Sequence, residues 1–214
     1  MRDYKPLSSD HRQLGERPGS GRTLRVMTED RRTSRNPREP AKHGPSGAER
    51  WADYLDWLRE DIIDGVLGLP LSERTASRLP SGWSPIELLS HLLHMEQRWF
   101  VWGFLGERVP DPWGDWNVDD PSVDSAPTGI VPAWRVADGA AAEDIAALLR
   151  DMGRRTRKAL DTHGLEERAR VGGRFTDDPP TLEWICFHVL AEYARHAGQF
   201  DVVRELSTPG SSDH

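Results

Sequence analysis

Apolar residues in this chain recur at helical rather than strand spacing, and they do so in four separate stretches. In "AERWADYLDWLREDIIDGVLGL", Trp51, Tyr54, Leu55, Leu58, Ile62 and Val66 fall on one face, with Asp and Arg on the others. Gly68 and Pro70 close that helix. A second helix opens at Ser84, the expected N-cap, with Pro85 in the first helical position and Glu87 completing a capping box; its pattern continues to about Gly106. The third fits "AAAEDIAALLRDMGRRTRKALDTH", with Ile145, Leu148, Leu149, Met152, Thr156 and Leu160 on one side. The fourth follows Thr181, another expected cap, and ends near Ser207 and Thr208. Between the second and third lies a long loop, "RVPDPWGDWNVDDPSVDSAPTGIVPAWRV", and between the third and fourth a shorter connector. A loop of that length in a compact domain is usually functional. No part of the body reads as paired strands. The expectation is an all-α four-helix bundle with long connections, whose topology need not be a plain up-and-down meander.

The fourth helix breaks the pattern in an informative way. In "WICFHVLAEYARHAGQFD" the stripe that continues Ile185, Val203 and Leu206 carries His188, Glu192, His196 and Gln199. A carboxylate buried without a partner is costly, so Glu192 on such a stripe calls for a cation or a strong hydrogen-bond partner. A hydrogen-bonded core network would satisfy it. So would a divalent metal, because residues four apart on a helix converge on one ion. His188 and His196 stand about 12 Å apart along the axis and cannot both join easily. The helical pair is therefore 192/196 or 188/192, and a third ligand must come from another helix. On the second helix, His91 follows Leu88, Met95, Trp99 and Trp102 toward the core, whereas His94 follows Glu87, Ser90 and Arg98 on the wetter side. His91 is the expected third ligand. Two imidazoles and a carboxylate with open positions is a set that zinc takes in catalytic sites, and Ni, Mn or Fe(II) could take it as well. Cys186, on another face, reads as a small buried apolar residue.

Composition narrows the rest. Residues 1–45 hold 11 Lys and Arg against 6 Asp and Glu, with little apolar content, and read as a disordered basic arm, or as an over-extended start with Met27 the initiator. The bundle is expected over 46–208 and a flexible tail over 209–214. The chain beyond residue 45 is acidic, 17 basic residues against 29 acidic, so no nucleic acid is expected as partner. No apolar run reaches the length of a membrane span, no secretory segment opens the chain, and a single cysteine rules out an internal disulfide framework. A cytoplasmic protein is expected. HExxH, G-x-S-x-G and a phosphate-binding glycine loop are all missing from the sequence.

Two stretches, "SPIELLSHLLHMEQRWFVWGFLGE" and "LEWICFHVLAEYARHAGQFDVVRE", resemble the second- and fourth-helix signatures of the DinB-like (YfiT-like) superfamily, in its actinobacterial branch. The resemblance covers about residues 48–207 and implies a bundle that binds one divalent metal through three side chains. In many relatives these are three histidines. The branch of mycothiol-dependent maleylpyruvate isomerase instead uses a His from the second helix and Glu-x3-His from the fourth, which implies His91, Glu192 and His196 here. The chain departs from the three-His pattern at Glu192, and from some relatives at Gln199, where they carry His. The implied activity is a thiol S-transferase: a metal-bound thiolate of mycothiol, or of another low-molecular-weight thiol, attacks a small electrophile. No catalytic residue beyond the ligands is assigned. Trp113 and Trp116 could cover the pocket or stack on substrate. A non-catalytic metal-binding stress protein, a hydrolase using bound water, and a metal-free bundle are the rival readings. Two bundles could pair as a homodimer.

Overall fold

The computed structural model describes residues 38–116 and 134–207. Residues 1–37 of the expected basic arm, the C-terminal tail and the middle of the long loop lie outside them; the last residues of the arm, 38–45, are described, and Arg50 of the first helix donates to the carbonyls of Pro45 at 2.8 Å and Gly44 at 3.0 Å. Within them the fold is helical, with isolated bridges and no strand. Helix α1 spans Ala48–Gly68, a single turn α2 Leu71–Arg74, α3 Pro85–Glu96, α4 Ala142–Thr162 and α5 Leu182–Ser207. No helix among the described residues is long and apolar enough to cross a membrane.

The start signals work as their chemistry dictates. At α3 the Ser84 N–H donates to Glu87 Oε2 at 2.7 Å, the capping box forms, and Pro85 occupies the first turn. At α5 the Trp184 N–H donates to Thr181 Oγ1 at 3.3 Å. Glu143 and Asp144 sit in the first turn of α4, where the helix dipole favours negative charge. One element escapes the pattern: α3 runs directly into a π-helical segment, Gln97–Phe104. The wider turn presents carbonyls sideways, so Trp102 O accepts from the Arg174 N–H at 3.2 Å and Phe104 O from the Arg170 N–H at 3.0 Å.

Helix α1 packs against α4 and α5, and α3 packs against the same two, so α4 and α5 stand across the bundle from each other. The long helices α1 and α3, and likewise α4 and α5, are therefore diagonal, while the longest connection joins the adjacent α3 and α4. The core between the helices is built by Leu55, Ile62, Leu88, Leu89, Leu149, Ile185 and Phe200, among others.

Several side chains sit where apolar spacing does not put them. Leu148, expected on the inner face of α4, is exposed, as is Leu206 on α5. Ser90 and Arg98, expected on the wetter side of the second helix, are buried; Trp99 and Trp102, expected to face the core, are only partly so. Arg59, which periodicity leaves on the polar side of α1, is 2% exposed. The reason for the last is a charge. Glu96 at the end of α3 is fully buried, and it accepts hydrogen bonds from Arg59 Nε of α1 at 2.8 Å, from Thr156 Oγ1 of α4 at 2.7 Å and from the Tyr193 hydroxyl of α5. One carboxylate thus ties all four long helices. Gly153 of α4 makes room for it: a Cβ there would lie 2.3 Å from Arg59 Nη1.

Removing one partner from a buried ion pair leaves the other charge stranded, at a cost of about 3–5 kcal/mol. Arg59→Met should lower stability by about that amount in chemical denaturation, and Tyr193→Phe, which removes a neutral donor to a charged acceptor, by about 1.5–3 kcal/mol.

Candidate functional site

The buried face of α5 runs through Leu182, Ile185, Cys186, Val189, Tyr193, His196, Phe200, Val203 and Ser207. The polar stripe expected at the centre of that face is rotated to its edge: His196 is deep, Glu192 and His188 are partly buried, and Gln199 is exposed. Tyr193 sets the rotation, because its hydroxyl must reach Glu96. Cys186 is fully buried, and burial pushes its thiol up to about 12, which keeps it protonated.

Three of the sequence-predicted residues converge. His91 of α3 and Glu192 and His196 of α5 each offer an atom within 4.8 Å of the other two, and among the described residues they are the trio that does so. The His91 and His196 rings meet edge-on at 4.9 Å between centroids, and His196 Nε2 lies 3.4 Å from Glu192 Oε2. His188 stays outside. Its Nε2 is 4.0 Å from Glu192 Oε1, and its ring is stacked on Trp184 and set against Trp99, with centroid distances of 5.3 and 4.1 Å. Of the two helical pairs left open by spacing, the 192/196 pair is the one joined to His91. His94 is also outside: its Nδ1–H donates to the Ser90 carbonyl at 2.8 Å, and its Nε2 lies where a Cβ at position 114 would meet it at 2.8 Å, room that Gly114 leaves.

Both imidazoles are oriented from behind. The His91 Nδ1–H donates to Asp115 Oδ2 at 2.9 Å, and the His196 Nδ1–H donates to Gln199 Oε1 at 2.9 Å. Each therefore presents Nε2 toward the cluster. His196 Nε2 is buried and has no hydrogen-bond partner, an arrangement that native cores avoid unless something else occupies the lone pair. Asp115 is itself fully buried and gripped by Arg98, at 2.5 Å from Nη1 to Oδ1 and 3.0 Å from Nη2 to Oδ2. Burial alone would raise the Asp115 carboxyl; the bonds from His91 and Arg98 reverse this and hold it below its ordinary range. Arg98 stands two helical turns from His91, hence on the same face, which explains why it is buried and not on the wet side.

Asp115 could not be found by spacing. It comes from the proline- and tryptophan-rich loop, whose two described ends are stitched together by the Trp116–Trp134 bridge and by the Arg135 N–H donating to Asp115 O at 2.8 Å. Those ends cover the cluster. Trp134 stacks on His91 at 4.0 Å and 14° and meets His196 edge-on at 5.2 Å. Trp116 stands edge-on to His91 at 6.1 Å, and Trp113 packs under the Arg98 guanidinium at 4.6 Å. Of the two tryptophans singled out by sequence, Trp116 faces the cluster and Trp113 braces Arg98. Trp134, which makes the closest contact, carried no signal beyond lying in the same loop.

A helical bundle with a His–Glu–His cluster at the edge of its core, capped by an aromatic loop, defines the class of molecule. The family model described as Mycothiol-S-transferase matches residues 51–209, well over half of the 214-residue chain, and the chain belongs to that family. Comparison with curated proteins and with solved structures gives no match.

Burial, and then the neighbouring His91, push His196 down from 6.5 to about 4; burial also lowers His91, against the upward pull of Asp115. Both are neutral at pH 7. The unfolded chain takes up the His196 proton near pH 6.5, the folded chain only near pH 4. Stability is therefore complete above about pH 6.5 and lost as pH falls through that window, by about 3 kcal/mol from His196 alone. Denaturation of chelator-treated protein between pH 7 and 4 should show this loss, and His196→Gln should flatten that part of the profile.

Proposed function

We propose that this chain is a divalent-metal-dependent thiol S-transferase in which His91, Glu192 and His196 hold the ion. The observation that carries the reading is the pair of neutral imidazoles whose Nδ1 protons are already committed, so that their Nε2 lone pairs converge with a carboxylate, one of them buried and unpartnered. That donor set suits zinc first, and Ni, Mn or Fe(II) as well. Histidines that ligate a metal commonly donate their other N–H to a carboxylate or amide, as these two do. The family to which the chain belongs supports the reaction: a low-molecular-weight thiol, with mycothiol first, joined through sulfur to a small electrophile.

When bound, the ion supplies positive charge that lowers the pKa of a thiol and favours its reactive thiolate. The protein's own residues do the rest. Asp115 and Gln199 keep the imidazoles in one tautomer and one orientation. Arg98 keeps Asp115 ionised, so its oxygens accept and do not donate. Trp134 and Trp116 shield the cluster from water, which strengthens electrostatic attraction there and disfavours hydrolysis of the electrophile. With Glu192 engaged as a ligand, the thiol would lose its proton to solvent water as it binds, before the sulfur–carbon bond forms, and a thiolate needs no further base for its attack. Cytoplasmic thiol pools are the expected setting.

Elemental analysis of untagged protein should find about one divalent ion per chain for a single three-ligand site, and chelation should lower the melting temperature. Glu192→Gln and His196→Ala should each abolish stoichiometric binding, while His94→Ala should retain it. Asp115→Asn should weaken metal affinity by about 10–100-fold while leaving the ligands in place. Absence of bound metal, with no gain in stability when metal is added, would end this reading.

A further inference from the structure

The connector between α4 and α5 carries a guanidinium that nothing so far has used. Arg174 is partly buried, and it lies over the face of Trp99 at 4.2 Å and over Trp113 at 5.5 Å. Among the described residues it pairs with no carboxylate, unlike its neighbours: Arg98 is bound to Asp115, Arg168 to Asp178 and Arg195 to Glu192. Arg98 also lies over Trp113, at 4.6 Å, so the two guanidiniums share that ring. A short relay of contacts leads from Arg174 to the cluster. Trp99 touches His188 at 4.1 Å between centroids, and His188 Nε2 is 4.0 Å from Glu192. Arg174 is close enough to His188 to depress its proton affinity, adding to the larger effect of burial.

The backbone under Arg174 is held rigidly. Its N–H donates to Trp102 O of the π segment, and Gly173 approaches so closely that a Cβ there would lie 2.2 Å from that same carbonyl. The adjoining Phe175, with Trp99, Trp184, Pro179 and Pro180, walls an open cleft of about 480 Å³, whose remaining lining is Thr181 and the ion pair of Arg168 with Asp178. A fixed cation, half withdrawn from water and stacked on a tryptophan that lines such a cleft, is a site for an anion.

The charge balance points the same way. Beside the cluster and the cleft, Asp115 is paired with Arg98, Glu192 with Arg195 and Asp178 with Arg168, so that among the described residues these carboxylates are already matched without Arg174. A divalent ion would add positive charge and bring no anion with it. One thiolate offsets only part of that excess.

We propose that Arg174 binds the carboxylate of a small anionic substrate, whose apolar part lies in the cleft against Trp99 and Trp184. The inference rests on the transferase reading for the identity of the site and extends it to the substrate's charge. Binding to Arg174 does not require the metal, so the two ideas can fail separately.

The test is a titration with butyrate and with its neutral isostere butyramide, followed by the arginine Nε–Hε and tryptophan indole resonances of ¹⁵N-labelled protein. It is run on protein freed of metal and then of chelator, and again on zinc-loaded protein. Butyrate should shift the Arg174 Nε–Hε and Trp99 signals saturably in both forms, and butyramide should not. Arg174→Gln should weaken butyrate binding by about tenfold or more, and Arg154→Gln, on the exposed side of α4 and outside the cleft, should leave it unchanged. Equal binding of butyramide, no saturable binding of butyrate, or undiminished binding to Arg174→Gln would each overturn the assignment. Should the protein take up no zinc and still bind butyrate, the failure to load would end the metal reading and this proposal would stand.

Discussion

A single buried carboxylate organises this bundle. Glu96 has no access to water, so its charge is tolerable only while Arg59, Thr156 and Tyr193 all reach it, and those three residues belong to the three other long helices. Apolar contacts between helices permit small rotations and slides, because one leucine can replace another in a groove. Hydrogen bonds to a buried anion do not. Tyr193 is thereby fixed in rotation about the axis of α5, and its neighbours Glu192 and His196 are fixed with it. The same α3 carries His91 five residues before Glu96. The network therefore sets the geometry of the cluster without touching it.

A second buried carboxylate plays the complementary part from outside the bundle. Asp115 arrives on the long loop and receives His91 and Arg98 together. Its bond to His91 decides which imidazole nitrogen faces the cluster, and its bond to Arg98 keeps it ionised. The loop is attached to the helices by charge and by stacked rings, with Trp134 on His91 and Trp113 beneath Arg98. An aromatic face laid over an imidazole excludes water while leaving the ring edge, and so Nε2, free. The proposed ion would sit where these two constraints meet, on one side held by a helix that cannot rotate and on the other by a histidine that cannot flip.

The π-helical segment is the third element that the site needs. It turns the backbone carbonyls of Trp102 and Phe104 toward the connector, which pairs with them through Arg174 and Arg170. Arg174 and Phe175 are carried to the edge of the aromatic cleft as a result. Irregular helix geometry here is therefore a device for docking a connector, with Gly173 and Gly103 allowing the close approach.

The four helices, their caps and the two signatures were legible in the sequence because local physics writes them there: 3.6-residue periodicity, a capping box at Ser84 and a capping threonine at 181. His91, Glu192 and His196 were legible as candidates for a related reason, since donor side chains one turn apart on one helix are a local pattern and a histidine on an apolar face is conspicuous. Glu96 was not singled out, because periodicity cannot say which carboxylate will be buried or what would neutralise it. What only the tertiary structure decided were the long-range pairings: Arg59 with Glu96, Asp115 with His91 and Arg98, Trp134 over both imidazoles, and the rotation that draws His196 inward while leaving His188 and Gln199 at the edge. A charge is buried when its partner arrives, and the partner arrives by folding. Sequence spacing therefore determined which side chains could share a helix face, and the closing of the bundle determined which of them meet.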